Sequence, residues 1–295
     1  MSSLIQGVVS GLVMGSIYAL MTVGLTLIYG TLRTLNMSHG ALLMIGGYVA
    51  WLSFQGAGLP PVAGLVLATA VTFLFGILIE RLSVRPLVGK AGFDFEMTAF
   101  ISTFAVTVVL QNAALLVFGA RNKAFPPLLE GRLDLVAGVS VTRHSVLMAT
   151  VALGLLGALQ AFLTRTRYGL AIRAVAQQLD AARLMGVPAG RVYSLTMGVA
   201  SALAGIAGVL LASVFFVSPN SGDLPLLKGL IVAIFGGLGS VRGTILAAFA
   251  IGLLESLVSL SLGVKWSLPV LFLFIMAVLL VRPSGLLGKP EEARL

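Results

Sequence analysis

The chain has 295 residues, with 19 lysines and arginines against 10 aspartates and glutamates, for a formal net charge of +9. It is 58% hydrophobic and only 10% charged, with a mean hydropathy of +1.07, which excludes a soluble domain wrapped in a charged shell and makes the bilayer its solvent. The absence of cysteine excludes disulfides, and the lack of a basic domain outside short loops excludes a nucleic-acid partner.

A helix needs about 20 largely apolar residues to cross the hydrocarbon core. Such runs recur from Leu4 to Tyr29, Ser38 to Phe54, Val62 to Ile79, Met97 to Phe118, Ser145 to Leu163, Val192 to Val217, Leu230 to Leu238, Thr244 to Leu262 and Ser267 to Val281. The first starts close to Met1 without a basic leader or a clean cleavage site, so it reads as a retained helix rather than a signal peptide. The seventh is short, which leaves about eight or nine crossings and an all-α, polytopic membrane protein with a single transmembrane domain.

Nine crossings put Arg33, Arg81, Arg85, Lys90, Arg165, Arg167, Arg173, Arg183, Arg191, Arg242, Arg282, Lys289 and Arg294 on one side. Arg121, Lys123, Arg132, Arg143, Lys228 and Lys265 fall on the other. The side richer in lysine and arginine is cytoplasmic, so the N-terminus is expected outside and the C-terminus inside. A re-entrant stretch near Leu230 to Val241 would reverse everything after it. The excess positive charge suits anionic lipid at the inner surface.

Two loops stand out. Ala120 to Arg143, outside, carries Pro126, Pro127, Glu130 and Asp134 and ends in the strand-like Leu135 to Val141; it is either a connector or a docking surface. Thr164 to Arg191, inside, has a helical pattern. Arg173, Gln177, Asp180 and Arg183 share one stripe, with Val175, Leu179, Ala182 and Gly186 opposite, and Gly186 and Pro188 end it. Such a helix lies on head groups, caps the bundle or docks a soluble partner, and periodicity does not choose.

Polar groups within the spans are candidate functional sites because burying them in lipid is costly. Glu255, mid-span, either lines a pathway or braces a neighbour. Gln111, Asn112 and Gln160 need partners, interhelical hydrogen bonds being the default. Asn36-Met37-Ser38-His39-Gly40 opens a span, where it meets solute, seals a gate or caps a helix. Glu80 and Arg81 mark the end of the third span. Gly46-Gly47 allows close packing, and Gly236, Gly237 and Gly239, followed by Arg242, favour a helix break of the kind that points backbone groups at a solute.

No GxxxxGK[ST] loop is present, so the chain is not expected to hydrolyse nucleotide by that route. Two histidines and no cysteine make a metal site unexpected, and no acid partner supports a hydrolase triad at His39. A secondary carrier would want ion-coupling carboxylates, and Glu255 is the single acid near a midplane. A membrane-embedded enzyme would want converging catalytic groups at one depth.

Several segments together point to a family. Tyr18-Ala19-Leu20, Gly24 to Gly30, Asn36 to Gly40, Glu80-Arg81 with Arg85-Pro86-Leu87, Leu110-Gln111-Asn112, Leu184-Met185-Gly186 and Arg282 to Leu286 span nearly the whole length. In these the chain resembles the permease subunit of bacterial ABC importers for branched-chain amino acids, the LivH type. The family shows Asn-Phe-Ala-His-Gly where this chain has Asn36-Met37-Ser38-His39-Gly40.

The resemblance implies a coupling helix similar to EAAxxxG, matched by Asp180-Ala181-Ala182-Arg183-Leu184-Met185-Gly186 with Asp for Glu and without a downstream Ile-x-Leu-Pro. Arg173, Gln177, Asp180, Ala181, Ala182, Met185 and Gly186 are then ATPase-coupling residues. Asn36, Ser38, His39, Gly40, Gln111, Asn112 and Glu255 become candidates for the substrate pathway. It further implies a homologous second permease of the LivM type, two cytosolic ABC ATPase subunits holding ATP and magnesium, and a periplasmic binding protein for leucine, isoleucine or valine. The chain itself then binds no cofactor and no metal, performs no catalysis, and resides in the bacterial inner membrane. Related permeases carry other amino acids, urea or short amides.

Overall fold

The computed structural model describes residues 2–89, 94–124, 129–134 and 140–288. In chain order the helices are α1 (Ser2–Leu32), α2 (His39–Trp51), α3 (Pro61–Ile79), α4 (Phe95–Phe118), α5 (Arg143–Arg165), α6 (Arg167–Gln177), α7 (Leu179–Leu184), α8 (Ala189–Ala212), α9 (Asp223–Gly236), α10 (Val241–Ser261) and α11 (Ser267–Val281). Helix dominates because a backbone surrounded by lipid must satisfy its own amides. Among the described residues seven helices are long and apolar enough to cross: α1, α3, α4, α5, α8, α10 and α11 with the turn before it. The other two expected runs are the shorter α2, of 13 residues and continued by a π-helical turn at Leu52–Gly56, and α9, of 14 residues.

Contacts between helix ends define two sides. Strand β1 (Lys123–Ala124), after α4, pairs antiparallel with β4 (Phe216–Val217), after α8, so these helices finish on the same side. The start of α1 joins them, since Gln6 Nε2 donates to the Ser140 carbonyl at 3.0 Å and Gly7 faces Leu257 and Leu260 near the end of α10. Ser140 belongs to β3 (Ser140–Thr142), which pairs with β2 (Arg132–Asp134) in a hairpin before α5. At the opposite side Arg85, after α3, reaches the Gly190 carbonyl at the start of α8, and Leu286 and Leu287, after α11, bond the last carbonyls of α9.

Arg33, Arg81, Arg85, Arg165, Arg167, Arg173, Arg183, Arg191, Arg242 and Arg282 gather on that second side, which is therefore cytoplasmic. The first side holds Arg121, Lys123, Arg132, Arg143 and Lys265. Lys228 corrects the expected topology: it lies inside α9, which starts at Asp223 rather than Leu230, because it has an intramembrane carboxylate to pair with. Lys90, Pro126, Pro127, Lys289, Arg294 and residues 135–139 lie outside the described residues.

The packing repeats itself. Helix α1 lies along α10 as α8 lies along α3, and α1 and α8 also pack on each other. Short α2 packs on α8 and α3, while short α9 packs on α1 and α10, and the two short helices touch. Helix α1 runs from outside to inside and α8 from inside to outside, so the halves α1–α4 and α8–α11 are inverted with respect to each other. Inverted repeats of this kind, with short helices at their interface, characterise transporters. The contact between α2 and α9 is so close that a Cβ added at Gly40 would stand 2.8 Å from the Gly222 carbonyl oxygen.

Because the chain is free of cysteine, single introduced thiols report sidedness without background. A thiol placed at Glu130 should react with a membrane-impermeant maleimide in intact cells, and one at Asp180 only after the membrane is permeabilised.

Candidate functional site

The cytoplasmic segment between α5 and α8 is two helices, correcting the single amphipathic helix expected from periodicity. Gln178 is extended, at φ −154° and ψ 108°, so Gln177 ends α6 while Asp180 and Arg183 belong to α7. Helix α6 buries Ile172 and Val175, and α7 buries Ala182.

The end of α7 explains the spacing of its motif. Val187 N–H donates to the Ala182 carbonyl at 3.0 Å and Gly186 N–H to the Arg183 carbonyl at 2.9 Å, closing a Schellman cap. That cap requires a left-handed residue, and Gly186 sits at φ +82°. Pro188 follows, N-capping α8. Of the expected coupling residues only Ala182 is buried here; Asp180, Ala181 and Gly186 are exposed, and Leu184 and Met185 are 89% and 84% exposed. Two large apolar side chains therefore project into the cytosol from a rigidly capped turn, which is the form of a docking surface.

Beside this turn is a clamp the sequence did not reveal. Glu80, expected to mark a boundary, is fully buried at 0% exposure. A π-helical turn at Glu80–Val84 brings Arg85 back over it, with Nε and Nη2 each donating to the carboxylate at 3.0 Å. Ser194 of α8 donates to the same carboxylate at 2.7 Å, and Arg85 also donates to Ser194 Oγ at 2.6 Å. The clamp fastens the end of α3 to the first turns of α8, shortly after the capped end of α7. A carboxylate beside an apolar run, with an arginine five residues on, was the available signal.

In this conformation the segment Asn36 to Gly40 is closed off in the interior, the arrangement of a seal or a helix opening among the alternatives expected for it. Asn36, Ser38 and His39 are 2%, 0% and 1% exposed. Asn36 Oδ1 accepts from Ser38 N–H at 3.0 Å and Ser38 Oγ at 2.6 Å, folding the turn that opens α2. Its Nδ2 faces Met197 Sδ of α8 at 3.9 Å, His39 Nε2 donates to the Met21 carbonyl of α1 at 2.8 Å, and Met37 is held by Thr103 and Thr107 of α4. A polar joint thus ties α1, α4 and α8 together in the interior.

Glu255 is neutralised from three helices. Lys228 Nζ lies 2.6 Å from Oε1, Tyr18 hydroxyl donates to Oε2 at 2.6 Å, and Ser267 Oγ donates to Oε1 at 3.2 Å. The lysine also donates to the Tyr18 oxygen at 3.0 Å. Gln111 donates to Asp223 at the start of α9 at 2.6 Å, whereas exposed Asn112 bonds the Val108 carbonyl of its own helix. Both amides, with Asn122, Ser218 and Asn220, line an external cavity of about 240 Å³. Gly236 ends α9, Gly237 and Gly239 carry positive φ, and α10 starts at Val241.

The clamp and the Glu255 cluster both predict that removing the cation alone is costly. Replacing Arg85 by Ala leaves the buried Glu80 carboxylate without its cation and should lower stability by about 3 kcal/mol or more, read as a fall in melting temperature of the purified protein, whereas Glu80→Gln leaves no buried charge, because the 44%-exposed Arg85 side chain reaches water, and should cost less. Lys228→Met should destabilise strongly, and adding Glu255→Leu should restore much of the loss, because the double change removes both charges.

Residues 7–281 match the family model described as branched-chain amino acid transport system, permease component. The chain is 34% identical to the high-affinity branched-chain amino acid transport system permease protein BraD of Pseudomonas aeruginosa, covering 97% of this chain and 96% of that one. It is 33% identical, over the same shares, to the corresponding LivH protein of Escherichia coli. A probable LivH of Methanocaldococcus jannaschii is 28% identical over 94% of this chain and 90% of its own. The chain is a multi-pass membrane protein that belongs to the branched-chain amino acid transport system permease family.

Proposed function

We propose that this chain is the membrane-spanning permease subunit of an ATP-driven importer of branched-chain amino acids. The observation that carries the ATP-driven part is the capped turn ending in Leu184 and Met185, which presents apolar side chains to the cytosol. Its fitting occupant is a cytosolic ABC ATPase, which would hold ATP and magnesium, while this subunit performs no catalysis itself.

In this reading nucleotide-driven closure of the paired ATPases displaces α7. Because Gly186 and Pro188 join α7 to α8 within a few residues, and because Glu80 and Arg85 fasten α8 to α3, the displacement moves α8 and α3 together. Helix α8 then carries the movement to the Asn36–His39 joint and so to α1 and α4. The solute, delivered outside by a periplasmic binding protein, would pass between this subunit and a homologous permease. The amide-lined cavity at Gln111 and Asn112 is a fitting outer station. Leucine, isoleucine and valine are the proposed cargo, on the strength of the relatives' names.

The reading is tested in proteoliposomes holding the chain with its neighbouring permease, ATPases and binding protein. ATP-dependent uptake of radiolabelled leucine is expected, and Met185→Asp should weaken ATPase docking by about thirtyfold, the loss of one apolar hot spot. Gly186→Trp should abolish coupled uptake while leaving membrane insertion intact. Uptake indifferent to ATP would overturn the proposal, and binding-protein-stimulated ATP hydrolysis without leucine uptake would overturn the cargo.

A further inference from the structure

We propose that the cytoplasmic cavity between α1, α5, α6 and the start of α10 is a binding site for the phosphate group of an anionic phospholipid of the inner leaflet. The cavity measures about 310 Å³ and is lined by Arg173 and Arg242 together with Gln160, Thr164 and Ser240. Ion pairs among the described residues form at Glu80–Arg85, Asp180–Arg183 and Lys228–Glu255, and none reaches either of these arginines. Two guanidinium groups facing one concavity repel each other unless an anion sits between them, and phosphate oxygens match their forked donors. The first turn of α10, capped by Ser240 accepting from the Gly243 N–H, lies in the same wall, so the positive end of a helix dipole stands beside the two guanidinium groups.

Position selects the lipid over a soluble anion. The cavity lies at the cytoplasmic ends of three helices, at the level of the inner head groups, and Leu27, Leu163 and Ile172 give it apolar lining beside the polar groups. A basic pocket between helices on this side suits an anionic head group with its acyl chains alongside the bundle. Arg173 of α6 and Arg242 of α10 face each other across this cavity as lining residues. A bound lipid would fix the cytoplasmic segment to the second inverted half.

The test measures phosphatidylglycerol binding to the purified full-length chain by native mass spectrometry, with phosphatidylcholine as the neutral comparison. Wild type is expected to prefer phosphatidylglycerol, Arg242→Gln to weaken it by about tenfold, the loss of one charge-assisted contact, and Arg242→Lys to recover part of the loss. Arg81→Gln, on the same face but outside the cavity, should leave binding unchanged. Should Arg242→Gln fail to fold, judged by its melting curve, Arg173→Gln carries the same expectation. Equal affinity for the two lipids, or unchanged phosphatidylglycerol binding in both arginine variants, would overturn the proposal. Displacement of the lipid by inorganic phosphate at equal concentration would reassign the site to a soluble anion and overturn the lipid. A large gain in lipid affinity on Glu291→Gln with Glu292→Gln would show that the chain's own terminal acids hold the arginines, which also overturns it.

Discussion

A charge or amide buried in a bilayer has no water to fall back on, and the architecture of this permease follows from how it meets that constraint. Each described intramembrane polar cluster joins helices distant in sequence. Glu80 and Arg85 bind α3 to α8 through Ser194. Lys228, Tyr18 and Ser267 gather α9, α1 and α11 around Glu255 of α10. Asn36 to His39 join α1, α2, α4 and α8. Apolar packing gives lipid-facing helices no preferred neighbour, since lipid tails are as apolar as leucine, so these polar joints specify which helix meets which.

The joints are also arranged along a mechanical route. The exposed Leu184 and Met185 are followed at once by the Gly186 cap, Pro188 and the first turn of α8, where the Glu80 clamp engages. Helix α8 is one of the most buried spans, and it contacts α1, α2 and α3. In the proposed function, these contacts are what would deliver a push on the short capped helix to the centre of the bundle.

Much of this was legible in the sequence and some was not, for identifiable reasons. Long apolar runs announce helices, so α1, α3, α4, α5, α8, α10 and α11 appear close to their expected bounds. The break at Gln178 was hidden because Val175 and Ala182 are seven residues apart, a spacing that keeps one face through two helical turns whether or not the backbone bends between them. Lys228 was read as a loop residue because a lysine normally ends a span, and only the fold reveals its partner on α10. Polarity at Asn36, Ser38 and His39 was correctly seen as costly, but cost alone does not separate a solute contact from an interior joint. The inverted repeat left no sequence signal strong enough to notice, because it is carried by packing partners rather than by shared residues.

The central claim is that the capped α7 turn meets an ATPase. In a chain without cysteine, a benzophenone maleimide attached at Met185→Cys can be photoactivated in membranes that contain the assembled transporter. A covalent adduct between this chain and the ATPase subunit, absent when the probe sits at Glu130→Cys outside, is the predicted result. Lipid adducts alone at Met185→Cys, in membranes where the ATPase copurifies with the chain, would contradict the account.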